Sequence, residues 1–97
     1  MTENDWTVHI IGQAKKANKT LSNRALATFI ALLNELRALG PYRNTWPNYT
    51  KMKNKEEDYH CHVEKGRPTY CVCWKIIDKK KKIIEVYYAG THENAPY

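Results

Sequence analysis

A chain of 97 residues is long enough for one domain with its own hydrophobic core, which we place over residues 1–97, and too short for two. Its formal charge of +6 suggests an acidic partner such as nucleic acid, an acidic protein or a membrane surface. The N-terminus lacks the pattern of a signal peptide, and no apolar run approaches the roughly 18 residues of a membrane span, so we expect a cytoplasmic protein.

The first half of the chain predicts one strand followed by two helices. Residues 6–11 suit a strand that ends at Gly12, and a short basic helix is plausible from Gln13 to about Asn18. Thr20 or Ser22 can cap a longer helix, which Gly40-Pro41 ends. Apolar residues at a 3.6-residue repeat predict its buried face: Leu21, Ala25, Leu26, Phe29, Leu32, Leu33, Leu36 and Leu39.

A loop is predicted between this helix and the later strands. Residues 41–52 are rich in aromatic residues, Pro and Asn, with a short strand near Met52. Lys51, Lys53 and Lys55 then alternate, which would put three positive charges on one side of an extended segment. A solvated loop is the equal alternative, because lysines at such places are commonly ordinary surface residues.

The second half predicts consecutive strands over residues 58–64, 69–77 and 83–89, with Gly90 releasing the last one into the tail. Four lysines at 79–82 fit a solvated hairpin turn. The whole order predicts an α+β domain. In it, an N-terminal strand and a two-helix hairpin pack on one face of a twisted, mainly antiparallel sheet of four to five strands, and the other face is free for a ligand.

Two segments bring together residue types that suit chemistry on a phosphodiester. His60 and His62 share one face of a strand, just before a turn that carries Lys65 and Arg67. The tail adds His92 and, at the end of the chain, Tyr97. A single histidine is more often structural than chemical, but three in two such segments favour acid–base catalysis.

The cysteines favour reduced thiols. Cys61, Cys71 and Cys73 are odd in number and lie in strand-like runs, which is typical of thiols packed in or beside a sheet. A zinc site formed by these cysteines with His62 is the less favoured alternative, because C-x-C and C-x-H spacings differ from the usual C-x2-C. We therefore expect neither a metal nor another cofactor.

A family resemblance rests on three strings: Tyr59-His60-Cys61-His62-Val63-Glu64, Trp74-Lys75-Ile76-Ile77-Asp78 and Gly90-Thr91-His92. Together they resemble the RelE/ParE superfamily of bacterial toxins, closest in pattern to its YafQ-like mRNA interferases, and the predicted order of elements is similar to that fold. The resemblance implies a ribosome-dependent endoribonuclease toxin that cleaves mRNA in the decoding site and inhibits translation. It also implies contacts with ribosomal RNA, a cognate antitoxin as partner, and no binding to membrane or, by itself, to DNA.

The resemblance implies catalytic roles for four residues. His62 and His92 fall on histidines that YafQ-like members use, and Tyr97 lies close to the C-terminal aromatic residue that the family places near the scissile phosphate. His60 and His62 occupy the two alternating positions where RelE has lysines. Our hypothesis is that His62 and His92 form the acid–base pair, in either order, with assistance from His60 or Tyr97.

Phosphate binding is assigned to Lys65, Arg67 and Lys53. Cys71 stands near the position where RelE-like members carry a catalytic arginine, so this sequence departs from the family pattern there. Lys65 or Arg67 would have to supply the missing positive charge on the transition state.

Two other classes of function remain compatible with the sequence. A ParE-like gyrase inhibitor would share the fold without the ribonuclease chemistry, although the histidines argue against it. A non-catalytic RNA-binding module would need only the positive charge and aromatic residues that could stack on bases, namely Tyr42, Trp46, Tyr49 and Tyr97.

Overall fold

The computed structural model describes residues 5–53 and 57–96. In chain order the elements are β1 (Thr7–Ile10), a 3₁₀ helix (Gly12–Lys16), α1 (Ala17–Thr20), α2 (Asn23–Leu39), β2 (Thr50–Lys51), β3 (Asp58–Glu64), β4 (Tyr70–Asp78), β5 (Ile83–Thr91) and a second 3₁₀ helix (His92–Asn94). Within the described residues, no helix combines the length and the apolar character needed to cross a membrane.

The strands form one sheet in the order β1-β5-β4-β3-β2. β2, β3, β4 and β5 pair with their neighbours in antiparallel fashion, whereas β1 pairs with β5 in parallel. The expected α+β architecture with a mainly antiparallel sheet is therefore confirmed at this coarse level.

The long helix α2 follows from its sequence. Ser22 is the N-cap and its hydroxyl accepts a hydrogen bond from Ala25 N at 3.1 Å, while Gly40 ends the helix with φ near 95°. One part of the predicted stripe is wrong, because Leu39 is 64% exposed. Trp6 packs against Gly40 at this helix end, and its backbone N–H donates to Arg37 O at 2.7 Å.

The main core lies between the helices and one face of the sheet. Alternation along β3 directs Tyr59, Cys61 and Val63 toward the helices. From α2, Phe29, Leu32 and Leu36 pack against this face, and the same core includes Trp74 of β4. The opposite face has a smaller buried cluster, formed by Met52, Cys71, Cys73 and Tyr88.

Two predicted boundaries differ from the structure. The first helical segment begins as a 3₁₀ helix at Gly12 and becomes α-helical only at Ala17. Gly90 does not release the last strand, because it pairs with Cys71 and the strand continues to Thr91. A side chain at Gly90 would meet the hydroxyl of Tyr88 at 2.8 Å, so close packing rather than chain exit accounts for the glycine.

Candidate functional site

The histidine face is the sheet face opposite the helices, where β3 places His60 and His62. Both side chains are half-buried. His60 lies opposite Cys73 and His62 opposite Cys71 on β4, and Cys71 in turn lies opposite Gly90 on β5. A row of small, buried residues therefore lies beside the two imidazoles, in the middle strands of the sheet.

His92 joins this face from the end of β5. It begins the second 3₁₀ helix, and its backbone N–H donates to Thr69 O at 2.8 Å. The rings of His62 and His92 are in edge-to-face contact, with centroids 5.3 Å apart and planes at 76°. The structure thus brings together two histidines that are far apart in the sequence.

The pKa values of the β3 histidines reflect this clustering. Burial, followed by the nearby His62 and His92, lowers the pKa of His60 below its ordinary value. Burial also lowers the pKa of His62, with further contributions from His92 and Lys65. Positive charge on the neighbouring groups therefore disfavours protonation of His60 and of His62.

This arrangement predicts a loss of stability in mild acid. Because the folded pKa values of His60 and His62 are lowered, the unfolded chain binds more protons once the pH falls below about 6.5, the ordinary histidine value. The stability that depends on neutral His60 and His62 is fully present above that pH, and it is lost as the pH falls through their lowered pKa values. Urea unfolding between pH 7.5 and 5 should show a steeper decline for the wild type than for a His60→Gln/His62→Gln variant, and equal slopes would contradict the prediction.

The Arg67 groove lies next to His92. It has a volume of about 490 Å³ and is lined by Gly66, Arg67, Pro68, Thr69, Thr91, His92 and Glu93. Arg67 and Lys65 are both exposed in the turn between β3 and β4. Their guanidinium and ammonium groups are cationic donors of the kind that binds anions, and phosphate binding at this turn stays a prediction.

The end of β5, which carries His92, is held by side chains from the helical segment. Gln13 Nε2 donates to Ala89 O at 3.0 Å, and Ala89 N donates to Gln13 Oε1 at 2.9 Å. Thr20 Oγ1 also donates to Ala89 O, at 3.1 Å. β1 pairs only as far as Val86, so the Gln13 amide replaces a strand partner beyond that point. Sequence reasoning missed this role of Gln13, because the contact spans 76 residues.

A bulge in β5 places two consecutive tyrosines on the histidine face. Cys73 pairs with Tyr88 but Trp74 pairs with Val86, so Tyr87 is the extra residue. The Tyr87 hydroxyl donates to the carboxylate of Asp58, which is only 8% exposed. The Tyr88 hydroxyl donates to Thr91 O at 2.6 Å, directly before His92. The sequence analysis assigned neither residue to the site, although two adjacent tyrosines break the alternation of a regular strand.

One predicted site residue, Lys53, lies apart from this cluster. Lys53 is exposed after β2, and its neighbour Met52 donates its backbone N–H to Asp58 O at the start of β3, whereas Lys65 follows the end of β3. With about 3.3 Å per residue, Asp58 at the start of β3 lies roughly 13 Å from His62, and the turn that carries Lys65 lies beyond the other end of the strand. Lys53 is therefore at the opposite end of β3 from Lys65 and Arg67. Tyr97 lies outside the described residues, as does Lys55.

Three of the aromatic residues proposed for base stacking, Tyr42, Trp46 and Tyr49, lie on the helix side of the sheet. Tyr49 stacks on Tyr59 with centroids 5.7 Å apart, and Tyr42 meets Tyr59 edge-on. Trp46 packs against the same core and donates its indole N–H to Glu35. These rings face away from the histidines, so stacking on a base bound at the His62–His92 pair is not available to them.

The cysteines are buried thiols, as predicted. Cys61 belongs to the helix-side core, whereas Cys71 and Cys73 belong to the cluster on the other face, so the set considered for zinc does not converge. Among residues 5–53 and 57–96, no group of three or more His, Cys, Asp or Glu side chains could hold a metal ion. A hydrogen bond with Cys71 and then burial raise the pKa of Cys73, which keeps this thiol protonated.

Comparisons with protein-family models, with curated proteins and with solved structures find no match to this chain. The geometry of the site is therefore the basis for assigning a function.

Proposed function

We propose that the chain is a RelE-like toxin, an mRNA interferase that cleaves mRNA on the ribosome and is neutralised by a cognate antitoxin. The observation that carries the proposal is the edge-to-face contact between His62 and His92, whose ring centroids are 5.3 Å apart, beside a groove that Arg67 lines. The resemblance of the His60-Cys61-His62 and Gly90-Thr91-His92 strings to that family supports the same conclusion.

The proposed reaction needs two proton transfers. One imidazole removes the proton of the RNA 2'-OH as its oxygen attacks the adjacent phosphorus, and the other protonates the 5'-oxygen as the P–O5' bond breaks. The products are a 2',3'-cyclic phosphate and a 5'-OH. The lowered pKa of His62 favours the neutral imidazole near pH 7, which suits the base. We therefore assign His62 as base and His92 as acid.

Positive charge for the transition state would come from the turn between β3 and β4. Arg67 lines the groove beside His92, and Lys65 is close enough to His62 to lower its pKa. Cys71, near the position of the family's arginine, is a buried residue of the sheet and carries no charge. Arg67 and Lys65 would replace the missing arginine, because both carry cationic N–H donors and both lie in the turn beside the histidines.

A cleavage assay on ribosomes tests the proposal. Purified chain is added to ribosomes translating a reporter mRNA, and new RNA ends are mapped with the same mRNA lacking ribosomes as control. We expect cleavage within the translated region only when ribosomes are present, and 2',3'-cyclic phosphate at the new 3' ends. No cleavage together with loss of gyrase supercoiling would favour the ParE-like alternative. Binding that weakens steeply with salt, again without cleavage, would favour a non-catalytic RNA-binding module.

A further inference from the structure

A second groove, the amide groove, adjoins the Arg67 groove at Thr91. It has a volume of about 450 Å³ and is lined by Gln13, Thr20, Tyr88, Gly90, Thr91 and Asn94. Among the described residues, Thr91 alone lines both grooves. The 3₁₀ helix His92–Asn94 contributes His92 to one groove and Asn94 to the other, so a ligand that crosses this helix can occupy both.

The two grooves differ in charge. Arg67, His92 and Glu93 line the first, whereas the described residues that line the amide groove are all neutral. In the amide groove, the hydroxyl protons of Thr20 and Tyr88 are donated to Ala89 O and Thr91 O, so both hydroxyl oxygens retain lone pairs that can accept. Asn94 is exposed, and its amide can both donate and accept.

The wall of the amide groove is closely packed. The Gln13 amide makes two hydrogen bonds to Ala89. A Cβ at Gly90 would lie 2.8 Å from Tyr88 Oη and 3.2 Å from Gln13 Nε2, so no side chain fits there without displacing them. A groove with fixed walls loses little conformational entropy when a flat ligand binds.

We infer that the amide groove binds the base of a nucleotide adjacent to the scissile phosphate, and that Asn94 is its specificity-determining residue. The inference rests on the proposed function. A phosphate would favour the guanidinium of Arg67 in the neighbouring groove, whereas neutral donors and acceptors suit the hydrogen-bonding edge of a base in single-stranded RNA. The amide of asparagine can form paired hydrogen bonds with a base edge that carries one donor and one acceptor, as adenine does.

The experiment compares cleavage profiles of the wild type, Asn94→Ala and Asn94→Asp on translating ribosomes, with a library of reporter mRNAs randomised around one codon. Asn18→Ala is the matched control, since Asn18 is an exposed asparagine outside the amide groove. We expect the wild type to prefer one base at one position beside the cut, and Asn94→Ala to reduce that preference by at least about fivefold. Asn94→Asp, which exchanges a donor for an acceptor, should change the preferred base.

The outcomes separate this inference from the proposed function. Cleavage by the wild type with a base preference that both Asn94 variants retain would overturn the inference and leave the ribonuclease assignment intact. Cleavage without any base preference would also overturn it. An inactive wild type would reject the proposed function, and with it the inference. A loss of preference in Asn94→Ala with an unchanged profile in Asn18→Ala would support a base-binding groove.

Discussion

Replacement of His92 by alanine is expected to lower the rate of mRNA cleavage on ribosomes by about 10²- to 10⁴-fold, the usual contribution of one proton-transfer group. His92 contacts His62 edge-to-face and lines the groove in which Arg67 can hold a phosphate. It is exposed, so its removal opens no cavity and should leave the free energy of unfolding nearly unchanged. The measurement is the initial rate of appearance of new RNA ends, with circular dichroism to verify the fold.

His9→Ala is the matched control for this experiment. His9 is an exposed histidine on β1, an edge strand of the sheet, and we expect full activity from the variant. If His92→Ala cleaved as fast as His9→Ala and the wild type, the acid–base assignment would be wrong. The double variant His62→Ala/His92→Ala gives a further test, because two groups that act in one step have effects far smaller than additive when both are removed.

The elements of the fold were predictable where the sequence pattern is local. The cap at Ser22 and the apolar repeat through Leu36 identify α2, and alternation from Asp58 to Glu64 identifies β3 with its histidines on one face. Pairing partners depend on contacts between distant parts of the chain. The parallel pairing of β1 with β5 is one such contact. No local pattern in either strand specifies it, because the same apolar residues would suit an antiparallel partner.

The histidines of the site were predictable from the sequence, but the tertiary contacts that hold the end of β5 in place were not. His60, His62 and the basic turn follow from strand periodicity, and His92 follows from its residue type in the tail and from the resemblance of the Gly90-Thr91-His92 string to a family motif. The Gln13–Ala89 contact and the bulge at Tyr87 shape the same region through tertiary packing. A side-chain amide that replaces a missing strand partner has no periodic signature, so such residues emerge only from the folded structure.

Gly90 illustrates why a local sequence pattern does not reveal tertiary contacts. The sequence alone offers chain exit as the ordinary reason for a glycine at a strand end. The structure instead keeps Gly90 in the ladder opposite Cys71, where the Tyr88 hydroxyl and the Gln13 amide occupy the space that a side chain would need. The glycine thereby lets Thr91 and His92 continue in register beside Tyr70 and Thr69.

Replacement of Trp74 by alanine is expected to lower the free energy of unfolding by about 3–5 kcal/mol, the usual cost of removing a large buried aromatic side chain. Trp74 has no exposed surface and belongs to the helix-side core. Its indole N–H donates to Pro41 O at 3.0 Å, so the substitution also removes the hydrogen bond of a buried carbonyl. Urea unfolding followed by circular dichroism measures the loss.

Trp46→Ala is the control that separates core packing from RNA contact. Trp46 is half-buried at the edge of the same core, so its removal should cost less, roughly 1–2 kcal/mol.

Small domains commonly have only about 5–15 kcal/mol of stability, so Trp74→Ala should lose activity through unfolding, in parallel with its unfolding midpoint. If Trp74→Ala instead kept its stability and lost affinity for RNA, the aromatic cluster of Tyr49, Tyr59 and Trp74 would be a base-stacking surface rather than core. Because that cluster lies on the opposite side of the sheet from His62, such a result would also move the RNA-binding face away from the histidines.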